Sequence, residues 1–126
     1  MLAAIHAELG SPVVLIHNAV GGAVGNFLEI DPQILNCNFQ VNMMALLHLA
    51  RRLAPATIKA AHGVIITTGN TSAQRGRANF AGFAPTKAPQ RVLAEAIARA
   101  WPQRHSRRLR RDRRRHRSSL DAPALA

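Results

Sequence analysis

The chain contains no tyrosine and only one cysteine, Cys37, among its 126 residues. A single cysteine excludes an intrachain disulfide and any metal site built from several cysteines, and it favours a reducing compartment. We therefore expect a cytoplasmic protein. The chain also lacks an apolar run near the roughly 20 residues that a membrane-spanning helix needs. Its first residues lack the basic start of an export signal, so we predict no membrane association.

Acidic residues are scarce, with six Asp and Glu against 17 Lys and Arg. The positive charge is uneven, because the net charge is +4 over residues 1–103 and +7 over residues 104–126. A segment as rich in arginine as residues 103–126 cannot bury a core, so we expect it to be a disordered tail. Its arginines would neutralise phosphates, which makes nonspecific nucleic-acid binding an alternative function, or an incidental property, of the chain.

Histidine is the other common metal ligand, and the chain has six of them. They are scattered along the sequence: His6, His17, His48, His62, His105 and His116. Their surroundings do not match the ligand spacing of known zinc sites. We therefore predict no metal site, and we interpret these histidines as exposed or as satisfied by hydrogen bonds.

Two short β-branched runs predict parallel strands near residues 13–17 and 64–68. The first run is continuously apolar, which is typical of a strand that is buried on both faces of its sheet. A parallel sheet usually has more than two strands. We therefore expect these strands to belong to a larger, doubly wound sheet.

Helical patterns follow each strand, near residues 32–53 and 83–101. Asp31 can cap the first helix, Pro32 can open it, and its apolar residues recur at steps of three and four. We expect Pro55 to end this helix. Alternation of strand and helix implies parallel pairing through right-handed crossovers, so the predicted fold class is α/β.

Three short motifs occur in this framework. His17–Val20 lie at the end of the first strand and in the turn after it, Phe39–Asn42 lie in the first helix, and Phe83 precedes Lys87 by four positions at the start of the second helix. Side chains at i and i+4 share one face of a helix, so Phe83 and Lys87 should point in the same direction. In order and spacing, these motifs resemble the short-chain dehydrogenase/reductase family from about Gly10 to Trp101.

The resemblance implies a partial Rossmann-like domain that binds NAD or NADP and transfers hydride between nicotinamide and a small carbonyl compound or alcohol. It places four residues at catalytic positions: Asn42, Asn70, Phe83 and Lys87. It places five residues against the cofactor: Asn18, Ala19, Val20, Gly21 and Lys87. In the family, the two long helices also form a subunit interface, which implies self-association through residues 32–53 and 83–101.

Two of the catalytic positions differ from the family pattern, and Val20 stands where the family motif has glycine. The family has a tyrosine at the position of Phe83, as general acid or base, and a lysine at that of Lys87, which lowers the pKa of the tyrosine and binds the nicotinamide ribose. The family serine that orients the carbonyl is replaced by Asn70. Because phenylalanine has no proton to donate, we expect the chain to be inactive. Asn42 as an ordinary polar residue on a half-exposed helix, and Lys87 as a solvated lysine, remain alternatives.

The ends of the chain also differ from the family pattern. Residues 1–102 are expected to form a partial NAD(P)-binding domain without the Gly-rich first half, because Gly21–Gly25 lack the spacing of a phosphate-binding turn. Arg104–Arg117 occupy the place of the next family strand. Synonymous codons for this run, read one nucleotide later, encode such a strand, so we expect a frameshift after about residue 102. The nucleotide sequence tests this expectation.

Overall fold

The structure is a computed structural model that describes residues 2–102. The predicted tail lies outside these residues, so its disorder and nucleic-acid binding remain predictions. The elements, in chain order, are α1 (Leu2–Leu9), β1 (Val14–His17), α2 (Pro32–Phe39), a π-helical turn (Gln40–Met44), α3 (Ala45–Ala60), β2 (Val64–Thr67), a 3₁₀ turn (Thr71–Ala73) and α4 (Ala84–Ala100). No helix in this part of the chain is both long enough and apolar enough to span a membrane.

The two strands form a parallel two-stranded sheet. Its register pairs Val14 with Val64, Leu15 with Ile65, Ile16 with Ile66 and His17 with Thr67. The chain passes from β1 to β2 through α2, the π-helical turn and α3, which together make a long helical crossover. The predicted strands and the α/β fold class are therefore confirmed.

The two faces of the sheet have different surroundings. One face carries Val14, Ile16, Val64 and Ile66, which are 45–62% exposed. On the other face, a side chain of α4 reaches the ends of both strands, where His17 is buried. The prediction that β1 is buried on both faces is therefore wrong for the described residues, because their helices cover only one face. We call the uncovered surface the bare face.

The prediction that Pro55 ends the first helix is also wrong. Pro55 lies inside α3, which continues to Ala60. Leu53 and Thr57 are buried on either side of Pro55, and this packing holds the helix together across the hydrogen bond that proline removes. The helix ends at Ala61, whose φ of 54° is left-handed, and the amide of His62 then bonds the carbonyl of Thr57 at 3.2 Å.

The start of the crossover agrees with the sequence prediction. Asp31 caps α2, because its carboxylate accepts a hydrogen bond of 2.8 Å from the amide of Gln33. In contrast, the apolar pattern did not predict α1, which has no buried residue.

Polar residues outnumber apolar ones among the buried side chains of residues 2–102. Five buried residues are apolar: Leu46, Ala50, Leu53, Ala73 and Ala84. Seven are polar or charged: His17, Asn38, Asn42, Thr57, Thr86, Lys87 and Gln90. Buried polar groups destabilise a fold unless they are hydrogen-bonded. Six of the seven lie in β1, in α2 and the π-helical turn, and in the first two turns of α4, where the candidate site is found.

Candidate functional site

The loops that follow the two strands lie side by side. Asn18 comes directly after β1 and Thr68 directly after β2. The Thr68 hydroxyl donates to the side-chain oxygen of Asn18 at 2.8 Å, and the Thr68 amide donates to the carbonyl of His17 at 3.1 Å. Ligands of open parallel sheets bind outside the carboxyl ends of the strands, so this edge is the natural place for a site.

Asn42 connects the loop after β1 to the start of α4. Its side-chain oxygen accepts from the amide of Gly21 at 2.9 Å, and its side-chain nitrogen donates to the carbonyl of Gly21 at 2.7 Å. The same nitrogen donates to the hydroxyl of Thr86 at 2.7 Å. Asn42 is completely buried, although Gln40 and Val41 of the same turn are exposed. Its catalytic role and the alternative of an ordinary polar residue both stay predictions. Its position in the π-helical turn fits the frequent occurrence of such turns at functional sites.

Asn38, one helical turn before Asn42, makes a parallel connection. Its buried side-chain nitrogen donates to the carbonyl of Gly82 at 2.8 Å. The loop approaches this helix so closely that a Cβ on Gly21 would lie 2.7 Å from the side-chain oxygen of Asn38. A Cβ on Gly22 would lie 2.8 Å from the ring of Phe83. Glycine is therefore needed at both positions for close packing.

Phe83 and Lys87 lie together at the start of α4. Phe83 is the residue before the first turn of the helix, and its carbonyl accepts from the amides of Thr86 and Lys87 at 3.0 and 3.3 Å. The Lys87 ammonium lies 5.9 Å from the centre of the Phe83 ring. This distance is near the limit at which an aromatic ring attracts a cation.

Lys87 is only 3% exposed, so the alternative of a solvated lysine is wrong. Burial lowers the pKa of its amino group from the ordinary value, because desolvation disfavours the charged form. Within residues 2–102, no carboxylate forms a salt bridge with it. Lys87 is therefore a buried amine without a counter-charge in the part of the chain that the structure describes.

A cleft of about 570 Å³ opens beside Lys87, between the loop after β2 and one side of α4. Its walls include Thr67, Asn70, Lys87, Gln90, Arg91 and Glu95. The side-chain oxygen of Asn70 caps the 3₁₀ turn by accepting from the amide of Ser72 at 2.8 Å. Asn70 and Lys87 thus line one cleft, whereas Asn42 lies beneath the neighbouring loop. Ala19 and Val20, between Asn18 and Gly21, are exposed.

Two buried residues of this region were not predicted to belong to the site. The side-chain nitrogen of Gln90 donates to the hydroxyl of Thr67 at 2.7 Å and lies 3.3 Å from Nδ1 of His17. His17 Nε2 and Gln90 Oε1 are buried without a hydrogen-bond partner in the described structure. Burial lowers the pKa of His17, the charge of Lys87 lowers it further, and the main chain of Val41 acts more weakly in the opposite direction. Gln90 follows Lys87 by three positions, so helical spacing could have identified it.

The comparisons with known proteins agree on one family. The family model of short chain dehydrogenases matches residues 1–107. The chain belongs to the short-chain dehydrogenase family. The predicted family is therefore confirmed, and with it the assignment to a family of oxidoreductases.

Individual relatives of this short-chain dehydrogenase chain are distant. It is 30% identical over 91 residues to the uncharacterized oxidoreductase YciK of Escherichia coli (strain K12). This match covers 71% of the chain and 36% of that protein. It is 28% identical over 91 residues to an L-xylulose reductase of Bos taurus, which covers 71% of the chain and 37% of that protein. The chain thus spans little more than a third of the length of these curated relatives.

Solved structures match the fold. A short-chain dehydrogenase from Streptomyces avermitilis has a TM-score of 0.74 at 28% identity, covering 78% of this chain and 36% of that one. A gluconate 5-dehydrogenase from Burkholderia cenocepacia, in complex with NADP and tartrate, has a TM-score of 0.73 at 23% identity. That match covers 79% of this chain and 39% of the other. The two-stranded sheet and its helices are therefore a partial Rossmann-like fold.

Proposed function

We propose that residues 1–102 are part of an NAD(P)-dependent oxidoreductase that acts on a small carbonyl compound or alcohol. The observation that carries this proposal is the position of Asn18, Asn70 and Lys87 at the carboxyl ends of β1 and β2. In open α/β sheets, this edge binds the ligand. The Burkholderia relative that shares the fold was solved with NADP, and the bovine relative is named as a reductase of L-xylulose.

The residues of the site suit a nicotinamide cofactor in two respects. Lys87 has no carboxylate partner within residues 2–102, so its amine is available to a ribose hydroxyl of NAD or NADP. The loop Asn18–Gly21 is held by Asn42 in an orientation that leaves Asn18, Ala19 and Val20 exposed to a ligand. When it is bound, the cofactor supplies or accepts the hydride.

Other side chains would have to donate the proton and to bind the substrate oxygen. Asn70 can donate a hydrogen bond to a carbonyl oxygen from its side-chain nitrogen, since its side-chain oxygen is used in capping. Phe83 cannot donate a proton, and loss of a general acid costs about 10²–10⁴ in rate. We therefore propose that the chain as it stands is inactive, with water as the remaining proton donor at this position.

Binding of the cofactor can be tested separately from turnover. We expect saturation-transfer NMR, which detects weak binding, to show transfer from the full chain to NADPH or NADH. Lys87→Met should reduce this transfer, because it removes the amine that would hydrogen-bond the ribose. Lys59→Met is the matched control, since Lys59 is exposed in α3, and it should leave the transfer unchanged. Absence of transfer, or equal transfer in both variants, would contradict the proposed cofactor site.

Self-association and cellular location complete the proposal. We propose contacts through residues 32–53 and 83–101, whose exposed apolar side chains include Ile34, Val41 and Val92. Analytical ultracentrifugation should then show an oligomer that Val92→Glu shifts towards monomer.

The exposed free thiol of Cys37 supports a reducing location such as the cytoplasm.

The division of the chain is also a proposal. Residues 1–102 would form the partial NAD(P)-binding domain, and residues 103–126 a separate tail. Limited proteolysis of the full chain should cut first within the arginine-rich tail. Equal resistance of both parts would contradict this division.

A further inference from the structure

The buried amine of Lys87 has an unusual environment. It lines a cleft of about 570 Å³ and is 3% exposed. Asn70, whose side-chain nitrogen is not used in capping the 3₁₀ turn, lines the same cleft. A lysine in a structural role would be expected to pair with a carboxylate, but no such pair exists within the described residues.

None of the four acidic residues within positions 2–102 forms a salt bridge with Lys87. Glu95, which lines the cleft, pairs with Arg91 and Arg99. Glu29 accepts from the amide of Asn26, and Asp31 caps α2. The remaining one, Glu8, lies on α1.

The titratable and charged groups that face Lys87 supply no unpaired carboxylate within the described residues. His17 on β1 is a second base close enough for the charge of Lys87 to lower its pKa. On α4, Arg91 and Glu95 line the cleft as an ion pair. The 3₁₀ turn, β2 and the π-helical turn contribute only uncharged side chains.

The backbone of α4 also disfavours a positive charge on Lys87. Lys87 is the fourth residue of this helix, and helical side chains lean towards the N-terminus, where the helix dipole is positive. The ring of Phe83 opposes these effects only weakly, because it is 5.9 Å away from the ammonium.

We infer that Lys87 is a nucleophilic amine that forms an imine with small aldehydes or ketones entering the cleft. The neutral nitrogen attacks the carbonyl carbon, a C–N bond forms, and a proton moves from nitrogen to oxygen. The resulting carbinolamine loses water as the C=N bond forms, so no oxidant or reductant is consumed. Asn70 can donate a hydrogen bond to the carbonyl oxygen during the attack.

This inference shares its substrate class, a carbonyl compound, with the proposed function, but it needs no nicotinamide. Loss of the cofactor proposal would therefore leave it intact. It also differs from a structural role of Lys87 in a measurable way. A buried structural lysine is protected from reagents, whereas a neutral amine that a reagent reaches through the cleft reacts faster than an ordinary lysine.

The experiment is reductive alkylation of the full chain with benzaldehyde and sodium cyanoborohydride, followed by peptide mass mapping. The chain has two lysines, exposed Lys59 and buried Lys87, so each molecule contains its own reference. At pH 7 we expect Lys87 to be labelled faster than Lys59, because a larger fraction of its amine is neutral. The neutral fraction rises about tenfold when the pKa of an amine falls by one. The excess should shrink as the pH approaches about 10.4, the ordinary lysine value. Faster labelling of Lys59 at every pH would overturn the inference.

A pair of variants tests whether the cleft causes this reactivity. Asn70→Asp places a carboxylate in the wall of the cleft, which should favour the ammonium form and reduce labelling of Lys87 at pH 7 severalfold. Asn36→Asp introduces the same charge on the exposed surface of α2 and should change nothing. Labelling of Lys59 should be constant in both. Equal labelling of Lys87 in the two variants would show that the cleft does not host the reaction.

Discussion

The side chain of Asn42 holds the main chain of Gly21 by two hydrogen bonds, one to the amide and one to the carbonyl. This pairing fixes the loop after β1 against the long crossover helix. The loop carries the predicted cofactor contacts Asn18, Ala19 and Val20, so its geometry depends on Asn42, whose side chain hydrogen-bonds Gly21 and none of these three residues.

Replacing Asn42 should therefore destabilise the fold. Asn42→Ala leaves the amide of Gly21 without its partner, and an unsatisfied buried group costs about 1–3 kcal/mol. Urea unfolding followed by circular dichroism measures this loss. Asn36→Ala, on the exposed side of α2, should change the free energy of unfolding by less than about 0.5 kcal/mol. Equal effects of the two substitutions would argue against the role of this pairing.

The protonation of His17 should make stability depend on pH. The pKa of His17 is lowered in the folded protein from its ordinary value of 6.5. Below 6.5 the unfolded chain therefore binds more protons, so stability is complete above this pH and falls as the pH drops towards the folded value. His17→Gln should reduce the change of the urea-unfolding midpoint with pH. The midpoint is measured between about pH 5 and 7, a range that brackets the ordinary pKa of histidine. His48→Gln, at an exposed site, should retain the slope.

A hydroxyl at residue 83 is expected to restore part of the missing chemistry. Phe83→Tyr places a phenol near Lys87, and a positioned general acid contributes about 10²–10⁴ in rate. The measurement is oxidation of NADPH or NADH in the presence of small aldehydes and ketones. Phe80→Tyr adds the same group three residues earlier, before α4 begins, and should give no gain. If Phe83→Tyr binds nicotinamide but shows no turnover, the missing acid alone does not explain inactivity.

Pro55 should reduce the stability of α3. It is exposed and lies inside the helix, where proline costs up to about 3 kcal/mol relative to alanine. Pro55→Ala should therefore raise the urea midpoint. Pro12→Ala, outside the helices, should instead leave the midpoint unchanged or lower it slightly, because it makes the unfolded chain more flexible. A decrease for Pro55→Ala would mean that the proline is needed for the turn that follows.

The bare face should bind hydrophobic dyes. Its four apolar side chains form a continuous patch, since Val14 pairs with Val64 and Ile16 with Ile66 in the sheet. Ile16→Thr together with Ile66→Thr should reduce fluorescence of bound anilinonaphthalene sulfonate while preserving the strands, because threonine favours β structure. Ile58→Thr, at an exposed position of α3, is the control and should have a smaller effect.

Local sequence patterns were sufficient for the strands and for the start of the crossover. The β-branched runs give Val14–His17 and Val64–Thr67, and Asp31 before Pro32 gives the cap of α2. These features depend on neighbouring residues, which is why they can be read from the chain. The continuation of α3 past Pro55 depends instead on tertiary packing of Leu53 and Thr57.

The candidate site was only partly predictable for the same reason. The spacing of Phe83 and Lys87 indicates a shared side of a helix, and the family motif indicates Asn42. The contact between His17 and Gln90 joins residues 73 positions apart in sequence. No local pattern encodes such a contact, although the burial of both side chains makes it central to the site.

The π-helical turn Gln40–Met44 lies between α2 and α3 and changes the direction in which side chains point about the helix axis. An extra residue within a helix rotates everything after it by about 100° relative to everything before it. Asn38 and Asn42 are thereby aimed at the loops that contain Gly82 and Gly21, while Leu46 and Ala50 are aimed at the core. Loss of a single residue from this turn would consequently rotate the polar side chains out of alignment with the hydrophobic ones.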